Sequence, residues 1–446
     1  MSVKAALIGA GEFGRSLLAQ SRSIPELTIA AVLDREPERA VSALRNAGFG
    51  EAETQRPGRA APGRVAVLDD PARLAELQID IVVEATGDPE AGAANALAAI
   101  EAGRHVAMVT KETDIVVGPI LARLARQAGL SYTLVDGDQP SLLIKLCARL
   151  KRLGFTITAA GKATEYDCVA AADLGSAESN GLPLSTPQLA ACWQLEAADL
   201  PAGLAARAAA LEGALRQTAP DLCELGIVAN ATGLLPDCPG LHAPFLRPLE
   251  LPEVFRPAEE GGLLRRGGTV DAFVCLRRAE ELSFAGGVFA VVACPDPALG
   301  RLFAAKGLPV SRDHRQLLVH NPVHLLGAEA PISLLEAMDP RQAASAPAPR
   351  VDLCAETRAP LAEGSLLILG ERHALPGTAP RLLPAAALGP AAPLPYYLAA
   401  GARLRRDLPA GATITLEDVE LPGDSALLAL RRQQDETFLG GPSPEG

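Results

Sequence analysis

The chain has 446 residues, enough for two or three domains, and 48% of them are hydrophobic, ample for a packed core. Its formal net charge of −12 argues against nonspecific binding to nucleic acid or to an anionic membrane surface. No stretch approaches the about 20 uninterrupted apolar residues of a spanning helix, and the first residues enter a strand pattern rather than a secretory leader. The eight cysteines are scattered without a C-x-x-C pair, as in a reducing compartment. A soluble cytoplasmic protein is the expectation.

The first element sets the frame. Lys4-Ala5-Ala6-Leu7-Ile8 is a short apolar run, followed at once by Gly9-Ala10-Gly11-Glu12-Phe13-Gly14. This reads as a buried parallel strand, a tight turn and a helix start. In a G-x-G-x-x-G loop the first glycine turns the chain, the second admits a phosphate, and the third lets helix and strand pack closely. The helix N-terminus at Glu12 and Phe13 offers unpaired N–H groups to an anion. A second strand over 27–33 ends at Asp34, where a carboxylate bonds a ribose hydroxyl and repels a 2′-phosphate. The predicted cofactor is therefore NAD or NADP, with NAD favoured; Arg35 keeps NADP open.

Further along, a helix is expected over 37–46, a polar loop over 48–63 and a strand over 65–68. Asp70-Pro71 starts a helix through 77. A strand over 79–85 ends in Thr86-Gly87, a helix covers 89–102, and a strand over 105–109 ends in Thr110-Lys111. A helix over 118–128 and a strand over 131–135 follow. This alternation predicts an α/β fold with an N-terminal Rossmann domain, a doubly wound parallel sheet, over 1–150. Gly9, Asp34, Thr86, Lys111 and Asp136 all follow strand ends and line the edge where ligands bind. From 151 the pattern changes to a strand over 155–160, a long helical region over 187–231, and strands near 268–276, 287–293 and 317–320. That predicts an α+β substrate and dimerisation domain over 151–345. Residues 342–349 read as a linker and 440–446 as a disordered tail. Between them an internal repeat is visible: Arg358, Leu361 and Gly364 match Arg405, Leu408 and Gly411, which predicts a small β-rich module over 346–440.

These landmarks fall in an informative order. Gly9-Ala10-Gly11 is followed by Val83-Glu84-Ala85-Thr86-Gly87, Gly137-Asp138-Gln139-Pro140, Gly161-Lys162, Ala229-Asn230-Ala231-Thr232-Gly233-Leu234 and a closing Arg405-Arg406-Asp407-Leu408-Pro409-Ala410-Gly411. Together they resemble the homoserine-dehydrogenase-like oxidoreductases that carry a C-terminal SAF (antifreeze-like, β-clip) domain, over nearly the whole chain. One branch of that family is deoxyxylulose-phosphate-reductoisomerase-like. The resemblance implies an NAD(P)-dependent oxidoreductase acting on a small polar hydroxy or oxo compound, homoserine-like, a sugar acid or a sugar phosphate, and working as a homodimer or higher homo-oligomer. It does not name the substrate. The sequence also departs from the family. Members carry Asp-Gly-Thr-Lys ahead of the Ala-Asn-Ala-Thr-Gly-Leu segment, where this chain has Gln217-Thr218-Ala219-Pro220. That pair binds and protonates the substrate oxygen, so a nucleotide-binding homologue without catalysis stands as the alternative. Several relatives have Asn-Arg where this chain has Asp34-Arg35, and Glu165 replaces a residue that is basic in one branch.

The candidate cofactor-binding set is Gly9, Gly11, Glu12, Phe13, Gly14, Asp34, Arg35, Thr86, Gly87 and Lys111. Lys111 stands near the expected nicotinamide, where a lysine polarises a carbonyl or holds a carboxylate; Lys162 offers the same to a phosphate or carboxylate. Asp136 and Asp138 flank Gly137, and a carboxylate there either orients a substrate hydroxyl or a metal, or only forms the turn. Glu165 is a candidate acid or base. His314, His320 and His324 cluster in sequence, but Pro322 prevents a helical i, i+4 pair, so structural histidines and no metal are expected.

Overall fold

A computed structural model describes residues 2–51, 53–55, 63–196, 199–339 and 346–440. Part of the 48–63 loop, most of the 342–349 linker's start and the 441–446 tail lie outside the described residues. The N-terminal unit contains β1 (Val3–Ile8), α1 (Glu12–Ser21), β2 (Leu27–Leu33), α2 (Pro37–Asn46), β3 (Thr54–Gln55), β4 (Val65–Leu68), β5 (Ile81–Glu84), α3 (Pro89–Glu101), β6 (His105–Met108), α4 (Lys111–Gln127), β7 (Tyr132–Leu134) and α5 (Gln139–Arg152). Its strands form one parallel sheet in the order β3-β4-β2-β1-β5-β6-β7. The strand order reverses between β1 and β5, which opens the ligand crevice of a doubly wound sheet. Alternation along β1 explains the two layers. Ala5 and Leu7 join one buried cluster with Leu17 of α1 and Ala40 of α2; Ala6 and Ile8 join the other with Ala93 of α3 and Ile115 of α4.

The fold class is as expected, while several bounds differ for physical reasons. α4 begins at Lys111, not at 118. Gly118-Pro119 resembles a helix start, yet Pro119 sits inside the helix. The broken ladder beside it is mended from outside: Gln434 Nε2 donates to Val116 C=O at 2.9 Å, and its Oε1 accepts from Ile120 N–H at 3.2 Å. The expected 187–231 helix is broken into a 3₁₀ turn at Leu189–Cys192, α6 (Leu200–Ala210) and α7 (Ala219–Thr232), because Pro201 and Pro220 each open a new helix.

The second unit is built on a nine-stranded mixed sheet. Between α5 and α6 lie β8 (Ile157–Ala163), β9 (Cys168–Ala170), β10 (Ser176–Ser179) and β11 (Leu182–Ser185). After α7 come β12 (Leu235–Pro236), β13 (Phe245–Leu246), β14 (Thr269–Arg278), β15 (Val288–Ala293) and β16 (Gln316–Asn321). β8 runs past the expected 155–160, so Lys162 lies within the strand rather than in a loop. Gly161 makes this close pairing feasible, since a Cβ there would stand 1.9 Å from Asp271 C=O on β14. The chain then returns to the first unit. Gly327 packs against α1, where a Cβ would meet Phe13 C=O at 2.2 Å, and Ala330 and Leu334 join the core beneath β1. Residues 326–337 therefore close the Rossmann-type sheet, although the boundary at 345 expected them in the second domain.

α7 is the hub. Apart from its polar sites it is apolar on every face, as a fully surrounded helix must be. At Gly226 a Cβ would meet Ile115 of α4 at 2.6 Å and Leu382 of the C-terminal module at 2.9 Å. Asn230, in the Ala-Asn-Ala-Thr-Gly-Leu segment, accepts from Arg350 N–H (2.8 Å) and Val351 N–H (2.9 Å) and donates to Val351 C=O (3.1 Å). Gly233, at φ +79°, ends the helix. That motif is thus a helix cap that pins the module.

In the C-terminal module the two repeat halves pair about a pseudo-two-fold axis. Leu361 and Leu408 exchange both backbone bonds at 2.9 Å; Gly364 N–H donates to Leu404 C=O at 2.9 Å, and its mate Gly411 to Thr357 C=O at 2.8 Å. The bridges Leu366–Arg403 and Thr413–Glu356 are mates as well. The last helix, Ala426–Phe438, packs on α3 and α4 and is fastened by fully buried Arg431, paired to Asp352 (2.7 Å) and Asp435 (2.7 Å).

Candidate active site

The glycine loop has the shape a dinucleotide needs. Gly9 is at φ +101°, and a Cβ there would lie 2.3 Å from Ala85 C=O, so β1 and β5 can splay only around a glycine. A Cβ on Gly14 would strike Gly9 C=O at 2.5 Å. Gly11 is the opposite case: nothing stands within 4 Å, and as N-cap of α1 it makes no side-chain cap. The N–H groups at the start of α1 therefore face an open, side-chain-free space that suits a pyrophosphate. Asp34 is nearly buried and is shared by two amides: Oδ2 accepts from Ala10 N–H (3.1 Å) and Oδ1 from Glu36 N–H (3.0 Å). It braces the glycine loop, and each oxygen keeps acceptor capacity for a ribose hydroxyl. Arg35, Glu12 and Glu165 are exposed. Phe13 is half-buried against the Gly327 turn.

Across the crevice, Thr86 Oγ1 donates to Glu84 (2.6 Å) and accepts from Asp88 N–H (3.2 Å); Gly87, at φ +70°, donates its N–H to Thr110 Oγ1 at 3.0 Å. Thr110 stands at the N-cap position of α4 with its hydroxyl turned to Gly87, so Lys111 enters the site from the first turn of that helix. There the structure joins the two candidate lysines through a residue the sequence reading did not single out. Glu224 of α7 takes Lys111 on Oε1 and Lys162 on Oε2. Lys162 Nζ also lies 2.8 Å from Asp221 Oδ1, and Lys111 Nζ 3.7 Å from Asp138. Asp138 at the same time caps α5, accepting from Gln139 N–H at 3.0 Å. Asp221 closes the α7 capping box, taking Thr218 N–H and Oγ1 at 2.7 and 2.8 Å. Gln217-Thr218-Ala219-Pro220 itself offers no carboxylate or ammonium, but Asp221 and Glu224 on the first two turns of α7 bring two carboxylates to Lys162 on β8.

The electrostatics follow from this packing. Burial alone would raise the Glu224 carboxyl, but the ammoniums of Lys111 and Lys162 outweigh it and bring the pKa down to about 2. Burial would likewise discharge both lysines; Asp138 and Glu224 hold Lys111 well above its usual value, and Asp221 and Glu224 hold Lys162 up. Glu224, Lys111 and Lys162 are therefore all charged near neutrality. Lys162 is 3% exposed and Lys111 24%, so Lys111 is the ammonium that a ligand can reach. Glu165 shares no ion pair with this cluster among the described residues. It lies in an exposed bend beyond β8, because the strand continues through Lys162.

Glu224 and Asp221 carried a signal that was missed. A carboxylate amid Leu222-Cys223-Leu225-Ile227 on an all-apolar helix needs a buried partner. The three clustered histidines go elsewhere: His320 packs on Phe284, His324 Nδ1 contacts Gly286 C=O at 2.9 Å, and His314 holds a positive-φ turn. None sits in a group of three metal-binding side chains among the described residues. Among those residues, too, no helix is long and apolar enough to cross a membrane.

Residues 210–330, which carry Asp221, Glu224 and β12 to β16, match the family model "Oxidoreductase DRL, catalytic domain". No curated protein matches the chain. Solved structures similar to it include a biliverdin reductase from Synechocystis sp. PCC 6803, with biliverdin and NADP+ (18% identity, TM-score 0.26, 38% of this chain and 48% of that one). A myo-inositol dehydrogenase from Lactobacillus casei, with NAD(H) and myo-inositol, shows 16% identity and a TM-score of 0.29 over 40% of this chain and 49% of that one. The WlbA dehydrogenase from Bordetella pertussis, with NADH and UDP-GlcNAcA, shows 16% identity and a TM-score of 0.27 over 37% and 48%. The chain spans about half the length of these proteins.

Proposed function

We propose that the chain is an oxidoreductase that binds NAD, or less well NADP, and interconverts a hydroxyl and a carbonyl on a small polar substrate. The observation that carries this reading is the Lys111–Glu224–Lys162–Asp221 chain, buried except at Lys111, together with a glycine cradle that has an open helix N-terminus. The residues present fit the dinucleotide: the start of α1 and Gly11 would take the pyrophosphate, Asp34 the ribose, and Thr86 and Gly87 the nicotinamide side. Once bound, the cofactor supplies the hydride acceptor or donor. The chain's own work is orientation. Lys111, its proton held by Glu224 and Asp138, donates a hydrogen bond to the substrate oxygen and steadies negative charge there. Lys162 and Asp221 fix Glu224 from behind.

Charge also narrows the substrate. Two ammoniums face three carboxylates, so the cluster has no positive surplus for a phosphate. An uncharged polyol or an amino-bearing hydroxy compound fits better than a sugar phosphate. Asp34 favours NAD over NADP. The repeat module is SAF-like in its resemblance, the working unit is a homodimer or higher homo-oligomer, and the location is cytoplasmic. The decisive experiment is calorimetry with NAD+, NADH, NADP+ and NADPH, followed by turnover on a panel of polyols, hydroxy acids, homoserine and sugar phosphates. No cofactor binding would sink the proposal. Binding without turnover would favour a catalytically degenerate homologue, a reading supported by the near-complete burial of Lys162 between two carboxylates.

A further inference from the structure

One segment of the C-terminal module leaves its own fold and reaches the crevice. The turn Glu371–His373 carries two consecutive non-glycine residues in left-handed backbone, Arg372 at φ +54° and His373 at φ +51°. Such residues persist only where the surroundings enforce them, and they gather at functional sites. Here the turn is closed by Gly370 N–H to Ala374 C=O at 2.8 Å, and its base is held by Leu375 N–H to Tyr396 Oη at 2.7 Å. Its two side chains span the cleft. The Arg372 guanidinium lies 4.9 Å over the ring of Tyr166, in the segment after β8. His373 Nδ1 stands 3.1 Å from Glu112 Oε1, one residue past Lys111. The imidazole also rests on Gly87, where a Cβ would lie 3.3 Å from Cε1 and 4.0 Å from Nε2.

Geometry and burial give this pair a direction. The Glu112 side chain is 3% exposed and that of His373 45%, so one ring edge is anchored in protein and the other is open. Within the lysine cluster, Glu224 stays ionised and both lysines stay charged near neutrality, so these three groups hold their protons or charges fixed. An imidazole oriented by a buried carboxylate is suited to proton exchange. We propose that His373, supplied by the C-terminal module, is the acid–base residue of this site. Glu112 holds Nδ1–H, and Nε2 takes the substrate hydroxyl proton on oxidation and returns it on reduction. The step balances when the substrate's O–H and C–H bonds break: the proton goes to Nε2, the hydride to the oxidised nicotinamide dinucleotide, and a carbonyl forms against Lys111. The charged groups facing His373 are Glu112, with Lys111 and Asp138 acting on Glu112 in turn, and Glu371 and Arg372 on its own turn. The inference rests on the oxidoreductase reading above.

The test uses the full chain with its six histidines labelled with 13C at Cε1. The His373 resonance is assigned by its loss in His373→Asn and, independently, in His373→Gln. We expect this resonance to move when NAD+ is added to saturation. With a substrate from the panel, His373→Asn should lower kcat at least about 100-fold, keep cofactor affinity within about threefold, and abolish the acid limb of the kcat/KM profile. Glu112→Gln should retain that limb at a displaced pH. A resonance that stays fixed while calorimetry shows bound NAD+, or a wild-type pH profile in His373→Asn, overturns the assignment alone. Absence of any cofactor binding overturns the oxidoreductase reading and this inference with it.

Discussion

Glu224 is where fold and site are most tightly coupled, and replacing it tests both. Glu224→Gln keeps the size and removes the charge that Lys111 and Lys162 share. The native carboxyl sits at about 2 against an ordinary 4.5. That difference corresponds to about 3 kcal/mol of stabilisation. It agrees with the about 3–5 kcal/mol seen when one partner of a buried ion pair is removed. The sign is fixed by the direction of the shift. A depressed carboxyl stabilises the fold fully above its unfolded pKa, and the contribution disappears as pH falls through the folded value. Urea unfolding followed by Trp193, the single tryptophan, reports on the mixed-sheet unit that holds Lys162. Glu224→Gln should cost about 3 kcal/mol at pH 7, with the gap to wild type closing between about pH 4.5 and pH 2. A loss below about 1 kcal/mol at pH 7, or one that does not change with pH, would refute the ionised-cluster argument.

The remaining predictions concern the glycine loop, the α4 patch and a buried acid. Gly9→Ala should destabilise by about 2 kcal/mol or more, from its positive φ and the clash with Ala85. Gly11→Ala should unfold like wild type yet bind NAD at least about tenfold more weakly in calorimetry, since its side chain intrudes only on the ligand's space; equal affinities would argue against a phosphate there. Gln434→Leu leaves Val116 C=O and Ile120 N–H without their bridge and should cost about 2 kcal/mol in urea unfolding, with faster amide exchange at Ile120. Burial lifts Asp114 to about 6, only partly offset by the Tyr132 hydroxyl at 2.6 Å. A raised carboxyl stabilises below its unfolded pKa and loses that contribution as pH rises through 6. Asp114→Asn, which still accepts from Tyr132, should therefore gain about 3 kcal/mol on wild type between pH 4 and pH 8. A pH-independent difference would count against it.

The N-terminal sheet was legible because its signals are local. The glycine spacing, the apolar strand runs and the Asp70-Pro71 helix start each act within a few residues, and the structure has them at or within a residue or two of the expected bounds. Lys111 and Lys162 were legible as charges at strand ends. Their shared partner was not, because Glu224 meets them only through tertiary packing of α7. The α4 start was obscured by Pro119, whose cost is met by a glutamine more than 300 residues away. The Glu112–His373 contact is equally non-local, and no periodicity or spacing in the sequence joins the two.

The repeat, finally, says which part of the C-terminal module is free to specialise. The two halves match through Leu361 and Leu408, Gly364 and Gly411, and the Leu366–Arg403 and Thr413–Glu356 bridges. Immediately after those bridges the symmetry ends. The second half turns at once into a capping box, with Thr415 bonded to Asp418, and pairs with Arg403–Leu404 through Val419–Glu420. The first half instead runs outward through Arg372 and His373 before rejoining at Thr378. A duplicated scaffold obtains its rigidity from the shared contacts, so a single asymmetric excursion can hold strained backbone without loosening the fold. The excursion touches Gly87, Glu112 and Tyr166. The turn thus meets both units of the chain, and α7 is packed closely between the first unit and the module, with Ile115 of α4 and Leu382 of the module both close to Gly226.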